Sequence, residues 1–198
     1  PALFTPTVYT LDFKINNIPD NITIDFNHKY YQNRTLLMHS LYDRNNEAAD
    51  FLIDKGAPIN ATDNGDWTPL MYALRHDQED VAKKLISLGA DINAENNNGW
   101  TPLMFALCYN QKEAAKIIID SGATINIKNC YEWTPLMYAL RNDQPENAKL
   151  LIEKGAIINV ENNKSWTPLI FAITYSNFEN VKLLIEKGAL INKKNNYN

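Results

Sequence analysis

Few side chains in this sequence could do covalent or metal chemistry. There are three histidines and two cysteines in 198 residues. The pair to weigh first is Cys108 with His76, a thiol and an imidazole, the makings of a nucleophile and its base. A working nucleophile needs that base within hydrogen-bond reach and a third group to orient it. No orienting acid or oxyanion-hole pattern accompanies the pair, so no catalytic residue and no enzyme activity are expected. The histidines and cysteines are scattered, without the close spacing of metal ligands, so no metal site is expected. Of the seven glycines, five recur singly before Ala and make no phosphate-cradling loop. No cofactor is expected. What remains is the chemistry of recognition. Arg75, Arg141, Tyr109, Tyr131, Tyr175 and the tryptophans Trp67, Trp100, Trp133 and Trp166 are the residue types enriched at interface hot spots.

Charge and composition narrow the partner. The net charge is -4 and the pI near 5.4. No basic stripe is present to follow a phosphate backbone, so nucleic acid is not expected as a partner. No apolar run approaches the length of a bilayer span, so no membrane is expected either. Cys108 and Cys130 do not suggest a disulfide framework. A reducing compartment, and with it the cytoplasm, is the default expectation.

These side chains are positioned by a repeat. Trp-Thr-Pro-Leu occurs at Trp67–Leu70, Trp100–Leu103, Trp133–Leu136 and Trp166–Leu169, in steps of 33 residues. A fainter copy, Arg34–Leu37, lies one step upstream. Gly-Ala keeps the same beat at Gly56, Gly89, Gly122, Gly155 and Gly188. So does Asn at Asn60, Asn93, Asn126, Asn159 and Asn192. A fixed period of this length means stacked supersecondary units. Within each of the four Trp copies Thr precedes Pro, which suits an N-cap followed by the first helical position. Leu70, Ala73 and Leu74 then lie on one helical face, and Val81, Ala82, Leu85 and Ile86 make a second. The recurrent Gly suits a left-handed C-cap. Asp77, Asn110, Asp143 and Ser176 stand at the turn between the two helices, where Asn and Asp tolerate a left-handed residue.

The copies Thr68–Ala73, Thr101–Ala106, Thr134–Ala139 and Thr167–Ala172, with the downstream Leu85–Ala94, resemble the ankyrin repeat and its Thr-Pro-Leu-His-x-Ala signature. The resemblance covers about residues 27–198. It implies an all-α repeat solenoid of helix-turn-helix units with β-hairpin loops, five repeats at about 30–62, 63–95, 96–128, 129–161 and 162–194. Met71, Met104, Met137 and Ile170 replace the signature His, which in the family hydrogen-bonds around the turn. Residues 1–26 lie outside the repeat. There Tyr9, Leu11, Phe13 and Ile15 alternate with polar residues, turn chemistry follows at 16–21, and 22–26 alternate again. The expectation is a short N-terminal β-hairpin that caps the first repeat or offers an edge strand to a partner. At the other end, residues 195–198 align with 162–165, the threshold of a sixth repeat, and Val181, Leu183, Leu184 and Ile185 keep the last repeat apolar. Solenoid ends normally carry a polar face. Further repeats or end-to-end self-association are therefore expected there.

The resemblance also implies which surface binds. The first-helix ends face a concave groove in the family, and here they read Arg75-His76, Cys108-Tyr109, Arg141-Asn142 and Thr174-Tyr175. The loop tips Asn64-Gly65, Asn97-Asn98, Cys130-Tyr131 and Asn163-Lys164 lie beside them. Arg and Tyr thus alternate along the ends, which suits an extended acidic or amphipathic peptide. Internal duplication is the other reading of that alternation. The tryptophans have two readings as well. A buried Trp removes roughly 150–250 Å² from water, on the order of 4–6 kcal/mol as an upper bound, so stacking alone is sufficient reason for them. Their edges could equally anchor a partner. Neighbouring stacked helices lie about 8–10 Å apart, too far for a Cys108–His76 hydrogen bond. The functional expectation is a non-catalytic module that binds a protein or peptide. The alternative is a regulatory or targeting segment of a longer protein or array, a microbial host-directed effector among the options.

Overall fold

The computed structural model describes residues 3–4, 23–26, 28–175 and 178–192. Two compact units divide the chain, Pro1–Asp91 and Ile92–Asn198. In the first, strands β1 (Leu3–Phe4) and β2 (Thr23–Ile24) pair in parallel, Leu3 opposite Thr23 and Phe4 opposite Ile24. A hairpin is antiparallel and closes through a tight turn, whereas parallel strands need a longer connection. The first strand and the turn of the expected hairpin, residues 9–21, lie outside the described residues, and the hairpin is not shown.

The first unit then forms α1 (Leu36–Tyr42), α2 (Asn46–Asp54), α3 (Pro69–Arg75) and α4 (Glu79–Ser87). Here α1 packs on α2 and α3, and α4 packs on α2 and α3. The second unit forms α5 (Pro102–Cys108), α6 (Lys112–Asp120), α7 (Pro135–Arg141), α8 (Pro145–Glu153), α9 (Pro168–Tyr175) and α10 (Phe178–Glu186). Within it α5, α7 and α9 stack as one layer and α6, α8 and α10 as the other. Helices this short are marginal alone, so their stability comes from stacking.

The local sequence explains each piece. Thr68, Thr101 and Thr134 accept from the N–H three residues on at 3.3–3.4 Å, and Pro follows as first helical residue. The first helices are apolar nearly all round, and α3, α5 and α7 bury every residue but the last, as helices in a core do. The second helices bury one stripe, in α6 Ala114, Ala115, Ile118 and Ile119. The residue at the inter-helix turn is left-handed at Asp77, Asn110 and Asp143, with φ of 61°, 61° and 50°. Ser176 lies outside the described residues. The recurrent Gly is also left-handed, at φ 84–91° from Gly56 to Gly188. There a side chain would be strained.

The loops expected as β-hairpins form no strand among the described residues. Each is a tight turn with two backbone bonds across it, Asp63 N–H to Trp67 O at 3.2 Å and Asp66 N–H to Asp63 O at 3.1 Å, with counterparts at Asn96, Asn129 and Asn162. The Asx side chain takes two further amides. Asn129 Oδ1 accepts from Tyr131 and Trp133 N–H at 3.0 and 3.1 Å. Those donors are therefore absent from any ladder. The periodic Asn ties its repeat to the next. Asn126 Oδ1 accepts from Ile157 N–H at 2.8 Å while its Nδ2 donates to Gly155 O at 3.2 Å. Asn60 clips Asp91 and Gly89, and Asn159 clips Leu190 and Gly188, in the same way.

Candidate functional site

In the second unit the tryptophans interleave with the buried aromatic of each first helix. Trp100 lies 4.9 Å from both Phe105 and Tyr138, and Trp133 lies 4.9 Å from Tyr138 and 4.7 Å from Phe171. Trp166 is 4.9 Å from Phe171 and 6.0 Å from Tyr175. Each Trp thus stacks on its own repeat and, where one follows in the unit, on the next. All four remain partly open to solvent. Stacking and exposure of an edge coexist.

The first-helix ends differ from one another. Arg141 lies over the Trp133 ring at 5.2 Å, and in the first unit Arg75 lies over Trp67 at 5.0 Å. Such cation–π contacts hold a guanidinium in place while leaving it reachable. Tyr109 and Tyr175 stack at 6.3 Å on Phe105 and Phe171 and are 41% and 48% exposed. Tyr131 stands on its turn at 55% exposure. Asn142 is engaged internally, its Nδ2 donating to Leu107 O and Cys108 O at 3.1 and 3.2 Å. Thr174 Oγ donates to Ile170 O at 2.8 Å. His76 packs between Tyr42 and Tyr72, its Nε2 buried without a partner. Burial, then the charges of Arg75, Arg44 and Arg34, push its pKa down. Burial pushes the Cys108 thiol up against the smaller pull of Arg141. A catalytic thiol needs the opposite shift. Among the described residues no group of three His, Cys, Asp or Glu could hold a metal, and no helix is long and apolar enough to cross a membrane.

The structure gathers Trp133, Arg141, Asn162, Lys164, Trp166, Phe171 and Tyr175 around an open recess of about 310 Å³. Sequence reasoning named five of these residues and passed over Asn162 and Phe171. Asn162 is 5% exposed, and its Oδ1 accepts from Lys164 and Trp166 N–H at 3.0 Å each. Its Nδ2 is buried with no partner. The corresponding Asn129 donates to Tyr138 Oη at 2.8 Å. Position 171 is Phe and offers no oxygen. The alternation of Tyr72, Phe105, Tyr138 and Phe171 was the available signal. A third residue passed over is Arg34, which occupies the Trp position of the first repeat. Its guanidinium lies over Tyr42 at 4.7 Å and Tyr72 at 5.3 Å, with Nε 3.7 Å from Asp63 Oδ2. Tyr72 Oη donates to that same oxygen at 2.6 Å, and burial with this bond raises the phenol's pKa.

The family model for ankyrin repeats (3 copies) matches residues 13–96 and 125–195, and that for the single ankyrin repeat matches residues 98–130. A search of curated proteins returns no match. The stacked helix pairs, the Thr-Pro caps and these matches agree: the chain belongs to the ankyrin-repeat family, whose members are generally protein–protein interaction modules.

Proposed function

We propose that the chain binds a protein or peptide partner without chemistry of its own, through the first-helix ends and adjoining turns of its second unit. The observation that carries this reading is the company Tyr109, Tyr131, Arg141 and Tyr175 keep. They are exposed, yet Tyr109, Arg141 and Tyr175 lean on aromatic rings of the stacked frame. A surface already ordered loses less entropy on binding, and Tyr and Arg on such a surface are the usual anchors. The test is a paired capture from source lysate. One bait is the native chain. The other carries Tyr109→Ala, Arg141→Glu and Tyr175→Ala and is matched for fold by circular dichroism. A protein held by the first and lost by the second supports the reading. The same proteins on both baits would refute it.

A second reading is favoured by the outer face of α9 and α10. Ile173 and Ile185 are 65% and 49% exposed, whereas their counterparts Leu140 and Ile152 are 0% and 6% exposed. The face is thus built like an interior stacking surface, and a second copy of the chain would cover it by pairing the same face. Light scattering across a concentration series tests this. A dimer abolished by Ile173→Glu supports it, and a monomer at every concentration refutes it.

A further inference from the structure

The repeat register sets the recess beside α9 against its counterpart one step upstream in the same unit. For Arg141, Lys164 and Phe171 the upstream positions hold Cys108, Tyr131 and Tyr138. All three differences favour an anion. Two add a cation, and the third removes the phenol that satisfies the upstream amide. Neither Arg141 nor Lys164 is ion-paired among the described residues, and no acidic side chain lines the recess. The first unit shows the complementary case. There Asp63 stands at the Asn162 position, and its carboxylate meets Arg34 and the Tyr72 hydroxyl within the fold. One nook holds its own carboxylate. The other holds cations and a buried N–H donor and has none.

We propose that the recess between Trp133 and Trp166 is a subsite for the carboxylate of an Asp or Glu side chain on an extended partner segment. Arg141, Lys164 and Asn162 Nδ2 supply the donors, and the Trp166 and Tyr175 rings take an adjoining apolar residue. The proposal rests on the reading of the chain as a protein-binding module. A volume of about 310 Å³ sits at the foot of the range of about 300–1,000 Å³ for small-molecule sites, which suits side chains more than a cofactor. The donor set favours carboxylate over phosphate. Backbone N–H groups that usually cradle phosphate are already engaged: Lys164 and Trp166 donate to Asn162 Oδ1, Ser165 to Asn162 O and Asn163 to Tyr131 O. Pro168 opens α9 with no N–H to offer. What is left is a planar guanidinium, an ammonium and one amide, a set that matches a two-oxygen fork.

The test selects random heptapeptides displayed on phage against the immobilised full chain. Enriched peptides are resynthesised with a fluorescent label and titrated by anisotropy. Expected are sequences with Asp or Glu beside an apolar residue, weakened about tenfold when that acid becomes its amide. Arg141→Gln with Lys164→Gln should weaken the acidic peptide comparably and leave its amide version nearly unchanged, the coupling that a direct contact requires. Phe171→Tyr should also weaken the acidic peptide by giving Asn162 an internal partner, without disturbing the fold. Peptides that bind with no preference for the acid, or no coupling to Arg141 and Lys164, overturn the subsite and leave the binding-module reading standing. Displacement of the peptide by inorganic phosphate at equal ionic strength would reassign the recess to phosphate. No peptide enriched over a bare surface overturns both readings.

Discussion

The two units solve one packing problem with opposite electrostatics. In the first, Arg34 takes the place of a tryptophan and faces Tyr42, Tyr72 and the carboxylate of Asp63. In the second, Trp133 stands in that place against Phe171, and the recess beside it is lined by the cations Arg141 and Lys164 and by Asn162, whose amide has no partner. The backbone turn is the same in both. Asp63 and Asn162 each accept two turn amides through Oδ1. Only the second side-chain atom differs, an oxygen that accepts in Asp63 and an N–H that donates in Asn162. That atom decides which partner closes the nook: Asp63 takes the Tyr72 hydroxyl as a donor, Asn129 takes the Tyr138 oxygen as an acceptor, and Asn162, with Phe171 at that position, has neither.

The comparison breaks most severely at Asp63. Asp63→Ala should lower unfolding stability by about 3–5 kcal/mol, because it strands Arg34, the Tyr72 hydroxyl and two turn amides at once. Urea unfolding of the full chain, followed at Trp67 as reporter of the first unit, measures this. A loss under about 1 kcal/mol would show the cluster to be dispensable. Asn162→Ala should cost less, about 1–3 kcal/mol, because it uncovers only the amides of Lys164 and Trp166. The exchange of Tyr and Phe is smaller again and runs both ways. Tyr138→Phe should cost about 0.5–1.5 kcal/mol by orphaning Asn129 Nδ2, and Phe171→Tyr should gain a similar amount by pairing Asn162. Equal signs for the two substitutions would refute the account.

The smallest effect is a pH dependence confined to the first unit, which holds all three histidines. Burial, then the charge of Arg34, depresses the pKa of His39. The unfolded imidazole binds a proton near its ordinary value of about 6.5, and the folded one resists it. The stability held by the neutral form is therefore complete above about pH 6.5 and is lost as pH falls from there through the lower folded value. Thermal melts at about pH 7.5 and about pH 5 should separate for the native chain and draw together for His39→Gln. An unchanged separation in the variant would place the acid sensitivity elsewhere.

The fold was legible because its signals are local. Thr followed by Pro announces a cap and a first turn at Thr68, Thr101 and Thr134 wherever the rest of the chain lies. A left-handed residue between helices is readable from Asp77, Asn110 and Asp143. The absence of strands in the loops was not legible. It depends on Asx side chains capturing turn amides, and the same residues in sequence fit a hairpin equally well. The Arg and Tyr of the first-helix ends were readable as recognition residues. Their internal ties were not, and Asn142 and His76 turned out to serve the packing while Arg141 and Tyr175 stand open.

By itself the sequence determined the period of 33, the two-helix unit, the family and the apolar layers, since each follows from residue type and short-range spacing. Only the tertiary structure decided which polar atoms find partners. Asn129 and Asn162 are the same residue in the same register, and one is satisfied and one is not. The difference lies in a ring that reaches each of them from nine residues away through a stacked helix. Hydrogen-bond partnership is a property of distance and direction in space, which residue order does not carry.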